Sequence, residues 1–251
     1  MMLTKILKKI VGILGFKLVD KNYIKNERLL SRYSFFSLNR ILGNLFLNNL
    51  VHSIIQIGAN DGQRFDDLSK FIKEYSPKAI LVEPIKSNYE DLKLNYKDQK
   101  NIKFVNHAIS VNNEINFLFK VQDNKLNLYG EHIKGITSFN IKHLLKHGVS
   151  KSHIVKEEVS SISIKTLLSK YSLTNLDLLM IDAESYDGEI AIDFLTNSSF
   201  RPIIIFEFIH ISHNTFEKLI TLLNNENFNY FKMKENIICL PKEFVDIKKI
   251  F

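Results

Sequence analysis

Four acids and a histidine stand where two apolar runs end. Leu176–Ile181 runs into Asp182, Glu184 and Asp187, and Arg201–Phe206 runs into Glu207 and His210. Three carboxylates within six residues can position an acceptor hydroxyl, take its proton or hold a divalent cation. Asp182, Glu184 and His210, in that order, are the candidate general bases. The plainer alternative makes Asp187 the cap of a helix running through Ile190, Ala191 and Phe194, with Glu184 in solvent.

A second constellation lies upstream. Ser53–Ile57 is an apolar run with β-branched residues that stops in the loop Gly58-Ala59-Asn60-Asp61-Gly62. Such a run bounded by Gly and Asn reads as a buried parallel strand feeding a tight turn. Asn60 replaces the middle glycine of the dinucleotide fingerprint, so the bare backbone that admits a pyrophosphate is missing. A cofactor with an adenosine and no pyrophosphate is favoured, and S-adenosylmethionine is one. Lys78–Val82 then runs into Glu83 and Pro84, with Glu83 25 residues after Gly58. An acid ending the second strand of a doubly wound sheet is placed to accept ribose hydroxyls. A third run, Lys103–Ile109, carries Asn106 and Ala108 toward where an adenine would lie.

The elements that hold these residues follow from periodicity. Phe65, Leu68, Phe71, Ile72 and Tyr75 are spaced for a helix after the loop, and Tyr89 and Leu92 mark the next. Phe228–Lys232 and Ile237–Leu240 read as a hairpin across Lys234-Glu235-Asn236. Between the third run and Asp182 the pattern is irregular: Glu114–Phe119 alternates like a strand, and Gln122–Glu131 is polar. His132, His143, His147 and His153 gather in this stretch. His143 and His147 share a helix face, but two histidines without a third ligand are weak evidence for metal, and no metal is assigned. A polar lid or an acceptor-binding surface is the expectation.

Charge divides the chain. Residues 1–40 hold nine Lys/Arg against Asp20 and Glu27, and the other 211 residues hold 25 of each sign. The main body therefore has no signature of a nucleic-acid binder. Met2–Val19 places Leu3, Ile6, Leu7, Ile10, Val11 and Leu14 at helical spacing with Lys5, Lys8 and Lys9 between them. This basic amphipathic helix is too short in its apolar stretch to span a bilayer or serve as a secretory signal. It suits peripheral contact with an anionic membrane through residues 1–19, or packing on its own domain with its lysines solvated. Cys239 is the single cysteine, so no intrachain disulfide forms, and a cytoplasmic location is expected. The division expected is 1–50 as helical extension and 51–251 as one α/β domain.

Taken together, Ile57-Gly58-Ala59-Asn60-Asp61-Gly62, Val82-Glu83-Pro84-Ile85 with Asn88-Tyr89, Asn106-His107-Ala108-Ile109-Ser110, Ile136-Thr137-Ser138-Phe139, Leu178–Glu184 and Phe206-Glu207 resemble successive motifs of the FkbM family of S-adenosylmethionine-dependent methyltransferases. The similarity covers roughly residues 51–210. It implies a Rossmann-like class I methyltransferase domain: a doubly wound, mostly parallel sheet with a C-terminal antiparallel hairpin. It also implies methylation, mostly of hydroxyls on sugars, glycans or small natural products. The cofactor contacts implied are Gln56, Gly58, Ala59, Asn60, Asp61, Gly62, Glu83, Pro84, Asn106, Ala108, Ser138 and Asp182. Three positions depart from the family pattern: Gln56 stands for an acid, Ser185 for a glycine and Lys165 for the acid of a Thr-Leu-Asp motif. A non-catalytic glycan- or membrane-associated module on the same fold stays open on those grounds, and a nicotinamide oxidoreductase is disfavoured by Asn60.

Overall fold

The computed structural model describes residues 37–64, 66–111, 117–130 and 135–244, with a few isolated positions besides. The chain divides into two units, residues 1–37 and 38–251. The amphipathic helix expected over 2–19 lies, single positions aside, outside the described residues. Among those described, no helix is long and apolar enough to cross a membrane.

The second unit is built on seven strands: β1 (Ser53–Ile57), β2 (Lys78–Val82), β3 (Ile102–Val105), β8 (Leu178–Ile181), β9 (Ile203–Glu207), β10 (Phe228–Met233) and β11 (Asn236–Pro241). Their order is β10-β11-β9-β8-β1-β2-β3. Strands β3, β2, β1, β8 and β9 are parallel, β11 runs antiparallel to β9, and β10 runs antiparallel to β11. This is the doubly wound, Rossmann-like sheet with a terminal hairpin that the pattern predicts.

The central strands are largely apolar because both faces are covered, with Ser53 and Gln56 of β1 buried polar exceptions. Successive side chains alternate between faces. On one face Ile54, Leu178, Met180, Ile203 and Ile205 join the helix Leu38–Leu47, whose Leu38, Ile41, Leu42, Leu45 and Phe46 are all buried. On the other, Ile55, Ile57, Leu179, Ile181, Ile204 and Phe206 meet the helices Ile164–Lys170, Asp187–Asn197 and His213–Asn225. The Leu38–Leu47 helix, grouped with the extension in the sequence reading, thus contributes five buried side chains at about 1.5–3 kcal/mol each to the core.

The third strand is the main departure. It stops at Val105, and the expected continuation forms a separate strand, β4 (Ala108–Ile109), paired in parallel with β7 (Ser161–Ile162). The break is made by Asn106, whose side-chain amide donates to the carbonyls of Glu83 and Pro84, both at 2.9 Å, and so turns the chain off the sheet. Between β4 and β7 lies an insert carrying β5 (Phe117–Val121) paired with β6 (Ile154–Glu158) and a short helix Ile141–Lys146. Its own small core contains Val121, Ile133, Ile136, Leu144 and Val149. The polar stretch expected over 122–131 contains a 3-10 helix, Asp123–Leu128.

Candidate active site

A cleft of about 910 Å³, open mouth included, lies at the carboxyl ends of β1, β2 and β8. That is where ligands bind in doubly wound sheets. The insert supplies the facing wall through Leu118, Gly135, Thr137 and Phe139.

The loop after β1 is shaped by close approach. Gly58 has φ of 82°, and a Cβ there would lie 1.8 Å from the Asp182 carbonyl oxygen, so the glycine lets β8 pass beside β1. Asn60 takes a left-handed conformation, φ 49°, which Asn tolerates better than most residues. That conformation directs its N–H to Glu83 Oε2 at 2.9 Å, while Glu83 Oε1 accepts from Ile85 N–H at 2.9 Å. Glu83 is buried, and burial, reinforced by the charge of Asp182, pushes its carboxyl up to about 7 against the opposing pull of those N–H groups.

Asp182 is exposed on the cleft wall, within reach of the charges of Glu184, Asp67 and Asp66. Desolvation, then those charges, raise its carboxyl to about 7. Glu184 is half-buried, has φ of 48° and points Oε2 to His143 Nε2 at 2.8 Å. Glu207 is raised to about 8 by burial and by the charges of Asp182, Glu184 and Glu235. Asp66, Glu83, Asp182 and Glu184 thus crowd carboxylates along the cleft, a setting that favours a cationic ligand.

The expected site residues divide by position. Gly58, Ala59, Asn60, Glu83, Pro84, Ala108, Asp182 and Glu184 line the cleft. The others expected at the cofactor stand behind it. Asp61 accepts from the N–H groups of Gln63 and Arg64 and pairs with the Arg64 side chain, fastening the loop. A Cβ on Gly62 would strike Tyr96 and Leu92, so that glycine serves helix packing. Asn106 braces the end of β2, and Ser138 Oγ donates to the Glu184 carbonyl at 2.9 Å. Gln56 alternates onto the face of Ile54, where Nε2 donates to Asp66 Oδ1 at 3.0 Å. His210 is off the cleft wall and packs against His143 and His147, with ring centroids 4.4 and 5.6 Å away. Asp187 is buried, at the first position of its helix, and accepts from Ala183 N–H at 3.4 Å.

A family model, the methyltransferase FkbM domain, matches residues 56–230. The chain belongs to the FkbM methyltransferase family. Among solved structures, an O-methyltransferase from Bacillus cereus in complex with SAH shares 9% identity over 93% of this chain and 96% of its own, TM-score 0.42. A methyltransferase from Geobacter sulfurreducens shares 9% over 92% and 95%, TM-score 0.42. The Methanococcus jannaschii fibrillarin pre-rRNA processing protein shares 10% over 76% of this chain, TM-score 0.40, and this chain spans 66% of it. No curated protein compared with the chain matches it.

Membership in FkbM makes S-adenosylmethionine the cofactor, and the cleft has unmet polar atoms suited to it. Asp66, which sequence reasoning passed over, lines the cleft; its Oδ1 accepts from Gln56 and from the N–H groups of Leu68 and Ser69, and its Oδ2 is buried without a hydrogen-bond partner. The N–H groups at the start of the helix Ser69–Tyr75 are thus taken partly by the chain's own carboxylate. His107, also on the wall, keeps Nδ1 buried and unpartnered. Asp66 stands ten residues after Gln56 and is tied to it, Gln56 Nε2 donating to Asp66 Oδ1 at 3.0 Å. The signal was Asp66-Asp67 after Gly62, masked by its fit to a helix start.

The other FkbM departures also have locations. Ser185 has φ of 86°, the left-handed region that favours glycine, and its Oγ lies 3.3 Å from Ser138 Oγ. Lys165 is exposed on the helix Ile164–Lys170 and does not line the cleft.

Proposed function

We propose that the protein transfers the methyl group of S-adenosylmethionine to a hydroxyl oxygen of a sugar, glycan or small natural-product acceptor. Bound cofactor supplies an already activated methyl carbon, so the chain must align an oxygen at about 3 Å and remove one proton. The observation that carries the reading is Asp182: it faces the cleft, its carboxyl is raised to about 7, and Glu184 stands two residues on in the same wall. A base poised near the working pH contributes roughly 10²–10⁴-fold. Phe139 of the insert wall and Tyr186 of the sheet-end side, in edge contact with ring centroids 4.8 Å apart, offer apolar surface against which an acceptor ring can lie.

Two measurements test this. Calorimetry should detect S-adenosylmethionine and its demethylated product, and ligand at about 100-fold above its dissociation constant should add roughly 2.7 kcal/mol of stability. With an acceptor from a hydroxylated panel, Asp182→Asn should lower turnover at least about tenfold while affinity for the demethylated product changes by less than about 1 kcal/mol. Absence of cofactor binding by the wild type would sink the reading. Unchanged turnover in Asp182→Asn would remove Asp182 as the base.

A further inference from the structure

We propose that His143, His147 and His210 form a binding site for a divalent transition-metal ion of borderline softness, zinc being the type case, at the edge of the cofactor cleft. One ligand atom from each of the three lies within 4.8 Å of the others. They converge from distant parts of the chain: His143 and His147 sit four apart at the end of the Ile141–Lys146 helix, and His210 arrives on the turn after β9. A tetrahedral ion with Zn–N bonds of about 2.0–2.1 Å holds its donors about 3.4 Å apart, so small side-chain rotations close the site.

The surroundings are those of a metal centre. An imidazole ring nitrogen can donate a lone pair to a metal, and the three rings lie in mutual contact, with centroids 4.4 to 5.6 Å apart. Metal-bound histidines are commonly steadied by a carboxylate on the remaining ring nitrogen. Here Glu184 Oε2 meets His143 Nε2 at 2.8 Å, whereas Glu207 Oε2, 3.9 Å from His210 Nε2, is near without a hydrogen bond. His143 is buried while His147 and His210 are half-buried, so the cluster is shielded on one side and reachable on another. Three imidazoles suit zinc, iron, nickel or copper and not magnesium or calcium, which take oxygen ligands. Three protein ligands also leave a fourth position for a water or substrate oxygen.

Glu184 links this centre to the cleft, since its carboxylate touches His143 and it also lines the wall beside Asp182. An acceptor hydroxyl in the open position would bind as a Lewis base and pass its proton to a neighbouring carboxylate. That role rests on the methyl-transfer reading; the metal site does not.

The test uses the tag-free full chain stripped with chelator and titrated with zinc chloride by calorimetry. One ion per chain is expected. His147→Gln and His210→Gln should each weaken zinc at least tenfold, and His143→Ala/His147→Ala should abolish specific binding. His52→Gln, at the start of β1, should bind as the wild type does. Cobalt should give visible absorption bands that disappear in the same variants, and magnesium should not compete. Binding of the demethylated cofactor is measured in parallel and should survive every substitution, which establishes that the variants fold. Zinc binding by wild type no tighter than by the double variant, with cofactor binding intact, would overturn the metal site without touching the methyltransferase reading. Zinc binding through the histidines without cofactor binding would do the reverse.

Discussion

The two walls of the cleft are made differently. One is the end of the parallel sheet, where Gly58, Asn60, Glu83 and Asp182 are held by strand register and backbone hydrogen bonds. The other is the insert between β4 and β7, whose strands pair two by two and whose core is five described residues with a few partly buried neighbours. A deep sheet fixes atoms within narrow limits. A thin insert can move or change without unfolding the rest. Most residues expected at the cofactor lie on the sheet-end wall, and the insert forms the wall across from them.

The same substitution in each region gives the largest contrast. Gly58 and Gly148 both have positive φ, 82° and 80°, but a Cβ on Gly58 meets the Asp182 backbone while one on Gly148 meets nothing within 4 Å. Gly58→Ala should cost more than about 4 kcal/mol, the range of severe core damage, and abolish cofactor binding. Gly148→Ala should cost only the left-handed penalty of about 1–2 kcal/mol and leave cofactor affinity unchanged. Thermal unfolding with cofactor titration reads both, and equal losses would erase the contrast.

A smaller effect comes from the carboxylates on the rigid wall. Glu83 and Asp182, both raised to about 7, hold protons at pH 6 and release them by pH 8. S-adenosylmethionine carries a positive sulfonium and its demethylated product does not, so affinity for the former should rise across that interval by about tenfold per group, following the fraction of competent protein. The product should change less. In the ligand-free protein the sign reverses. A raised folded-state pKa contributes stability that is fully present below the ordinary carboxylate range and is lost as pH rises to about 7. A ratio of the two affinities that stayed constant between pH 6 and 8 would remove these groups from cation recognition.

The smallest effect lies at the seam between the walls. Ser185 holds φ of 86° with its hydroxyl 3.3 Å from Ser138. Ser185→Gly should relieve about 0.5–1 kcal/mol of strain net of glycine's entropy and raise the melting temperature by about 1–4 °C. A drop would mean that the serine pair outweighs the strain.

How much could be read in advance follows the same division. β1, its loop and Glu83 were legible because apolar runs, a glycine and a strand-end acid are local signals. The split between β3 and β4 was not, since Asn106 makes it by reaching back to carbonyls more than twenty residues away. Asp61 and Gly62 looked like ligand contacts because loop position alone cannot distinguish a residue facing the cleft from one bracing the loop behind it. Asp66 was hidden for the converse reason. His143 and His147 were noticed as a pair, but the third histidine lies on the other side of β8 and β9 in sequence, and only the sheet order brings it near.

The pairing of β4 with β7 has one more consequence. Ala108 lies beside Ser161 and Ile109 beside Ile162, so the insert departs and returns through adjacent strands, like a drawer on a single pair of runners. Loop closure costs grow only slowly with length, and lengthening or trimming what hangs between those runners leaves the sheet register untouched. Exchanging residues 110–160 for the equivalent stretch of another family member is then a way to replace the insert wall of the cleft while keeping the sheet unchanged.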